Sequence, residues 1–249
     1  FKIIVDIDKN ELKKPTLTPD LPVNANVADF IKAMLRKSEK IELKKEWMDY
    51  CRTIRNKFTT RSTLFPERKA KVNPYYFVES LTEKLKENDI IVTANGSACV
   101  VTFQVAFIKK GQRLYTNSGC ASMGYDLPAA IGAYTASSRK IYCVAGDGSI
   151  QMNIQELQTI FHDKMDITIF LFNNDGYHSI RQTQNAFFGQ PLVGVNSASG
   201  ISFPDAEKIA EAYGLHFARI GKNISVNPVL DKVLKMKGPV LCEVVLDPE

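Results

Sequence analysis

Two apolar runs, each ending in small and polar residues, decide the fold of this chain. The first is IYCVAGDGS (residues 141–149) and the second is ITIFLFNNDGY (residues 167–177). Both are rich in β-branched and aromatic residues, which predicts buried strands. Between the runs, apolar residues recur at helical spacing, and Asn153 followed by Glu156 predicts a capping box. The predicted unit is therefore a strand, a helix and a second strand.

This unit places two oxygen-bearing side chains at one edge of a sheet. Parallel strands joined by a right-handed crossover end at the same edge, where open α/β sheets bind ligands. Asp147 follows the first strand and Asn174 follows the second. Carboxylate and amide oxygens suit Mg²⁺, which shares its ligand shell with phosphate oxygens. Gly148 permits a close approach of the backbone to a phosphate, and the helix that follows offers unpaired N–H groups. The sequence predicts a site for Mg²⁺ and a diphosphate.

Strands and helices alternate along the rest of the chain from residue 75 onward. Such alternation predicts an α/β fold, a doubly wound and mostly parallel six-stranded sheet with helices on both faces. The predicted strands cover residues 90–93, 114–117, 141–145, 167–172, 215–220 and 240–246. The predicted helices cover residues 76–86, 98–108, 123–136, 154–161, 204–213 and 227–236.

The first part of the chain has a different character. A strand is predicted at 1–8, a proline-containing loop at 9–25 and a helix at 27–35. A second helix is predicted at 41–58, where Ile41, Met48, Cys51, Ile54 and Phe58 form an apolar stripe typical of a core-facing helix. The predicted domains are residues 1–58 and 75–249, joined by a linker at 59–74. Because the chain opens on a strand without an initiating Met, we expect it to be part of a longer protein.

Composition excludes several classes of protein. The chain of 249 residues is 45% hydrophobic and 24% charged, as in globular proteins. Its apolar runs are shorter than the roughly 20 residues of a membrane span. The five cysteines are scattered without metal-binding spacing, which predicts reduced thiols and a cytoplasmic location.

The positive charge is concentrated in one stretch. Residues 36–71 contain 12 Lys and Arg against 5 Asp and Glu. Acidic residues interrupt this stretch, and aromatic residues are not regularly interleaved with it. We therefore predict a solvated helix and linker, and no nucleic-acid partner.

The two motifs that follow the predicted strands resemble those of a known family. Gly146-Asp147-Gly148, separated by 24 residues from Asn173-Asn174, resembles the signature of thiamine diphosphate enzymes. Residues 88–220 resemble the cofactor-diphosphate domain of the acetolactate synthase and pyruvate decarboxylase group, and residues 1–60 resemble the end of its middle domain. The resemblance implies thiamine diphosphate and Mg²⁺ as cofactors. It implies Asp147, Asn174 and the carbonyl of Gly176 as metal ligands.

The resemblance also implies which residues bind the coenzyme. Gly148 and Ser149 would donate backbone N–H groups to the diphosphate, Met123 would separate the two coenzyme rings, and the Ala121 carbonyl would accept from the aminopyrimidine. The full set implied is Gly96, Ser97, Ala98, Ala121, Ser122, Met123, Gly146, Asp147, Gly148, Ser149, Asn174, Gly176, Tyr177 and His178.

The activity implied is decarboxylation of a 2-keto acid such as pyruvate, with carboligation to a carbonyl acceptor. His178 and Gln182 are candidate catalytic residues, although a lone loop His is often only a polar surface residue. Thr183 stands where acetolactate synthases carry a Trp, which suggests a different or roomier acceptor site, for an aldehyde or a keto sugar. The family's pyrimidine-side Glu lies in an N-terminal domain outside these residues. We therefore expect the chain to be inactive alone and its site to lie at a subunit interface of a homodimer or homotetramer.

Two alternatives remain open from the sequence. One is a simple 2-keto acid decarboxylase, and the other is a non-catalytic module that binds thiamine diphosphate for regulation. Some relatives in the resembled family bind FAD in the middle domain, of which the sequence includes only the end, so the resemblance leaves FAD binding by the full-length protein open.

Overall fold

The computed structural model describes residues 1–38, 44–57 and 70–247. The chain divides into two compact units, Phe1–Thr59 and Thr60–Glu249. In the first unit, β1 (Ile3–Asp6) pairs in parallel with β2 (Leu21–Asn24), and helices α1 (Val27–Lys37) and α2 (Lys45–Lys57) follow.

The predicted loop over residues 9–25 is wrong at its end, because Leu21–Asn24 forms β2. Pro22 is tolerated there, since a strand at the edge of a two-stranded ribbon leaves one side without ladder hydrogen bonds. The predicted apolar stripe of α2 is also not core-facing within the described part of this unit. Met48 is only partly buried and Cys51 and Ile54 are exposed, while Ile41 and Phe58 lie outside the described residues.

The second unit is an α/β sandwich around one sheet. Its six strands are all parallel, in the order β4-β3-β5-β6-β8-β7. The strands are β3 (Ile90–Thr93), β4 (Arg113–Tyr115), β5 (Ile141–Gly146), β6 (Ile167–Asn173), β7 (His216–Ile220) and β8 (Val240–Val245). The helices are α3 (Pro74–Lys84), α4 (Gly96–Val105), α5 (Asp126–Ser137), α6 (Asp147–Ile150), α7 (Glu156–His162), α8 (His178–Phe187), α9 (Ala206–Ala212) and α10 (Val226–Val233).

Apolar side chains cover both faces of this sheet. On β6, Phe170 and Phe172 pack with α3 and α10, whereas Ile169 and Leu171 pack with α5, α7 and α9. This alternation follows from the two-residue period of a strand. The near-continuous apolar sequence of β6 is thus the pattern of a strand buried on both faces. The predicted doubly wound fold is confirmed.

Several local features differ from the predictions. The crossover between β5 and β6 is divided into α6, a short 3₁₀ turn and α7, and the predicted capping box does not form. Asn153 instead donates its Nδ2 to the carbonyl of Gly124 at 2.6 Å, because the tertiary structure brings that loop beside it. Helix α8 was not predicted. In addition, Val72, within the predicted linker, is fully buried and pairs with Leu246.

None of the helices in the described ranges has the length and apolar character needed to cross a bilayer. All five cysteines are free thiols.

Candidate functional site

The site lies where three adjacent strands end. β3, β5 and β6 are neighbours in the sheet, and the chain leaves β3 for β4 on one side before returning to β5 on the other. This reversal is the topological switch point at which open α/β sheets bind ligands. The three loops that follow these strands carry Gly96, Asp147 and Asn174.

A cavity of about 110 Å³ lies between these loops. All the predicted cofactor-binding residues line it except Ala121 and Ser122. Its volume is below the roughly 300–1,000 Å³ of a drug-sized ligand site. The cavity therefore has room for part of a coenzyme, and we call it the small cavity.

Asp147 is the buried acid of the small cavity. Its Oδ1 accepts from the N–H of Gly148 at 2.8 Å, and its Oδ2 accepts from Asn174 at 3.1 Å and Gly176 at 3.0 Å. Burial raises the pKa of Asp147 to about 6, although these three N–H donors lower it. The N–H of Gly148, predicted to donate to a diphosphate, is thus directed to Asp147, because the carboxylate folds back over the start of α6.

Asn174 carries the most informative atom of the site. The residue is 7% exposed, and its Oδ1 has no hydrogen-bond partner among the described residues. Its backbone is fixed by the bond to Asp147 and by Arg181, whose Nη2 donates to the Asn174 carbonyl at 3.3 Å. A buried carbonyl oxygen without a donor costs free energy, so this atom is suited to bind a cation.

Two glycines are required where the loops meet. At Gly176 the φ angle is 118°, and a Cβ there would lie 2.1 Å from the carbonyl oxygen of Val195. The Gly176 carbonyl accepts from the N–H of His178 at 3.1 Å, and a carbonyl oxygen has a second lone pair for a metal. A Cβ on Gly148 would lie 2.3 Å from the ring of Tyr177. The glycine of the motif therefore makes room for an aromatic side chain.

Three helices begin at the small cavity. α4 begins at Gly96, α6 at Asp147 and α8 at His178, and none of the three has a side-chain cap. The first N–H groups of a helix lack intrahelical partners and attract anions. Asn95 precedes α4 without capping it, because its Nδ2 donates to the carbonyl of Ala121 at 3.1 Å. The Ala121 carbonyl, predicted to accept a hydrogen bond from the aminopyrimidine, therefore already accepts one from Asn95. The sequence did not predict this role for Asn95.

His178 lies in the first turn of α8 beside a buried arginine. The Nη2 atom of Arg181 is 3.1 Å from Nδ1 of His178, and a guanidinium can only donate. Nδ1 must then accept, which places the ring proton of a neutral imidazole on Nε2. Arg181 is 8% exposed; the sequence predicted that the segment 176–182, which contains it, lines the site, but gave Arg181 no role of its own.

A second cavity of about 540 Å³, here the large cavity, shares a wall with the small one. Gly96, Ser97, Asn174, His178 and Ser179 line both. Gln182 lines only the large cavity, so the two candidate catalytic residues, His178 and Gln182, both line that cavity. Thr183 lines neither cavity, and its Oγ1 donates to the Ser179 carbonyl at 3.0 Å.

The donor set fits a hard cation beside an anion. No group of three His, Cys, Asp or Glu side chains in the described ranges could hold a metal, whereas Asp147, Asn174 and the Gly176 carbonyl offer three oxygens. A diphosphate beside the Asp147 carboxylate would be repelled unless a cation lay between them. Mg²⁺ would bind the three protein oxygens and would also lie between the diphosphate and the carboxylate, since it takes oxygen ligands from protein and phosphate together.

Comparisons with known proteins agree with this geometry. The family described as "Thiamine pyrophosphate enzyme, C-terminal TPP binding domain" matches residues 94–244. The acetolactate synthase isozyme 1 large subunit of Escherichia coli K12 is 30% identical over 250 residues, which is 100% of this chain and 43% of that protein.

Algal relatives give a similar result. The acetolactate synthase large subunit of Pyropia yezoensis is 30% identical over 97% of this chain and 40% of its own length. That of Cyanidium caldarium is 37% identical over 56% of this chain and 23% of its own length. The chain spans about two fifths of the first two relatives. It belongs to the thiamine pyrophosphate enzyme family and carries that family's C-terminal TPP binding domain.

Proposed function

We propose that this chain binds the diphosphate of thiamine diphosphate through Mg²⁺ and contributes this half of an acetolactate synthase-like active site. The observation that carries the proposal is the buried Oδ1 of Asn174, which has no partner among the described residues and lies in the small cavity with Asp147. The matched family and the acetolactate synthase relatives support the choice of coenzyme.

Each residue of the site has a proposed role. Asp147, Asn174 and the Gly176 carbonyl would ligate Mg²⁺, and the uncapped start of α4 would receive a phosphate. Met123, which is 38% exposed and lines the small cavity, would contact the coenzyme rings. His178 would present its Nε2–H to the substrate, and Gln182 would offer its amide from the large cavity. The bound coenzyme would supply the electron sink for decarboxylation.

The proposed reaction is decarboxylation of a 2-keto acid such as pyruvate, followed by carboligation, in which the fragment that remains after loss of CO₂ is joined to a carbonyl acceptor. The products formed from pyruvate distinguish this from simple decarboxylation: acetolactate favours carboligation and acetaldehyde favours the decarboxylase. A regulatory module would bind the coenzyme and release no CO₂ when all parts of the protein are present.

Calorimetry of thiamine diphosphate with and without Mg²⁺ tests the proposed binding. Affinity should require Mg²⁺ and should fall by at least about tenfold in Asp147→Asn, which removes the negative charge of a ligand, and in Asn174→Ala, which removes an oxygen ligand. Asn185→Ala is a matched control, because its amide bonds to Gln190 on the exposed surface. Mg²⁺-independent affinity that neither substitution changes would refute the proposal.

Turnover of pyruvate tests the proposed dependence on the rest of the protein. We expect negligible carboligation by residues 1–249 alone, and activity when the part that supplies a pyrimidine-side Glu is present. We also propose a homodimer or homotetramer with the site at a subunit interface, and a cytoplasmic location. Measurable turnover by these residues alone would contradict the first expectation.

A further inference from the structure

Glu243 joins the outer strands of the sheet to the loop that carries Asn174. It lies on β8 and is 5% exposed. Its Oε2 accepts from Nε of Arg219 on β7 at 2.5 Å, and its Oε1 accepts from Nδ2 of Asn173 at 2.7 Å. A buried carboxylate requires such partners. Both of its oxygens therefore have a donor.

Asn173 connects this carboxylate to the turn at the end of β6. Its Oδ1 accepts from the N–H of Asp175 at 3.2 Å, and its backbone carbonyl accepts from Leu246 at 2.8 Å. A carboxylate only accepts and a backbone N–H only donates, so the Asn173 amide can take one orientation. Within this turn, Asp175 has φ of 57° and Gly176 has φ of 118°. The side chain of Asn173 thus fixes the turn on either side of Asn174.

We infer that Glu243 and Asn173 are positioning residues for the metal and diphosphate site. With Arg219 they hold the turn so that the Asn174 amide and the Gly176 carbonyl face the small cavity before any ligand binds. Neither Glu243 nor Asn173 lines either cavity, so they act through the turn. This inference rests on the proposed function and extends it to residues that contact no ligand.

Two single variants and their combination test the bond between the two side chains. Glu243→Gln leaves one acceptor oxygen for two donors, and the charged guanidinium of Arg219 attracts it more strongly than the neutral amide of Asn173 does. The new NH2 group then faces the NH2 group of Asn173, so Asn173 turns and the Asp175 N–H loses its acceptor. Asn173→Asp places a carboxylate against a carboxylate. In the double variant, the new Gln donates to the new Asp and accepts from Arg219, and the Asp175 N–H retains its acceptor. The double variant therefore restores all three hydrogen bonds, with donor and acceptor exchanged only in the bond between positions 243 and 173.

In the full-length protein, each single variant should weaken Mg²⁺-dependent affinity for thiamine diphosphate by about 10-fold or more, as substitutions behind metal ligands do. Each should also speed hydrogen exchange of the Asp175 and Gly176 amides in the ligand-free protein. The double variant should recover most of the affinity and the slow exchange. Glu207→Gln is the matched control, because it weakens one exposed contact of Arg219, at 3.4 Å, and leaves its contacts with Asp205 and Glu243 in place; it should change neither the affinity nor the exchange.

Three results would overturn the inference. In the first, the single variants have the same affinity and exchange rates as Glu207→Gln. In the second, the double variant recovers neither the affinity nor the slow exchange. In the third, the single variants lower the unfolding free energy while their affinity and exchange rates stay at wild-type values. Failure of the proposed function is recognised separately, since the wild type would then not bind the coenzyme with Mg²⁺. Hydrogen exchange in the ligand-free protein would still report on the turn in that case.

Discussion

The backbone of Gly148 lies against the ring of Tyr177, so closely that a Cβ on Gly148 would be 2.3 Å from Cε1 of the ring. Tyr177 itself packs edge-on against Phe203 with a centroid distance of 5.7 Å. The loop after β5 and the loop after β6 therefore meet through this pair. Any side chain at position 148 must move the ring and with it the turn that carries Asn174.

Gly148→Ala should lower the free energy of unfolding by about 1–3 kcal/mol, the usual cost of overpacking, and should weaken coenzyme binding. Chemical denaturation and calorimetry measure the two effects. Gly132→Ala in α5 is the control: a Cβ there meets nothing within 4 Å, and the substitution should stabilise the protein by about 0.4–1 kcal/mol. Wild-type stability and affinity in Gly148→Ala would show that the ring is not fixed at this position.

Asp126→Asn should stabilise the protein increasingly as the pH rises. Asp126 is fully buried, its Oδ2 has no hydrogen-bond partner among the described residues, and burial raises the pKa of its carboxyl above 3.8. The folded state therefore binds the proton more tightly than the unfolded state, and the wild type loses stability as the pH rises from about 4 through the folded pKa. Asn does not ionise and lacks this loss.

Denaturation of Asp126→Asn and wild type between about pH 4 and pH 8 checks this sign. The difference in unfolding free energy should be smallest at the acid end and should grow in favour of Asn. A difference that is constant with pH, or that favours Asp at neutral pH, would contradict the burial argument. Asp231→Asn, on an exposed pair with Lys84, controls for loss of a surface carboxylate.

Thiol reagents should modify two cysteines in the folded protein. Cys51 and Cys120 are exposed, whereas Cys99, Cys143 and Cys242 are buried. Burial raises the pKa of Cys242 to about 12, and the thiolate is the reactive form. Mass spectrometry after brief alkylation should find the first two modified, and the others only in denaturant. Rapid native labelling of Cys143 or Cys242 would contradict the packing of β5 and β8.

Arg181→Met should change the tautomer of His178. In the wild type, the Nη2 atom of Arg181 at 3.1 Å requires Nδ1 to accept, so the neutral ring carries its proton on Nε2. Without the guanidinium this constraint is lost, and ¹⁵N spectra should show a mixture of tautomers. His162 and His216 serve as internal references, and Arg139→Met, which removes an exposed bond to the Asn88 carbonyl, is the control. An unchanged His178 spectrum in Arg181→Met would refute the assignment.

Local patterns predicted the sheet because its strands are apolar on both faces. β3, β5, β6 and β8 read as short β-rich runs that end at polar or small residues, and their bounds differ from the prediction by a residue or less. β2 escaped prediction because Pro22 resembles loop sequence and the strand forms only by pairing with β1. α8 was missed although residues 177–188 contain neither Gly nor Pro, which was the available signal.

The candidate site likewise has a part that local sequence patterns predicted and a part that they did not. Asp147 and Asn174 could be predicted from sequence, because a crossover between parallel strands brings their ends to one edge whatever the details of packing. Their surroundings could not. The bonds from the Asn174 and Gly176 N–H groups to Asp147 join residues far apart in the chain. The same holds for the bond from Asn95 to the Ala121 carbonyl and for the bond from Asn173 to Glu243.

The sequence by itself therefore determined the parallel sheet, most of the helices packed on it and the edge at which Asp147 and Asn174 meet, since these follow from apolar period and chain connectivity. Only the tertiary structure decided which polar atoms are paired and which, like Oδ1 of Asn174, have no partner among the described residues. The physical reason is that hydrogen-bond satisfaction in a buried site depends on distances between separate loops, which no local pattern encodes.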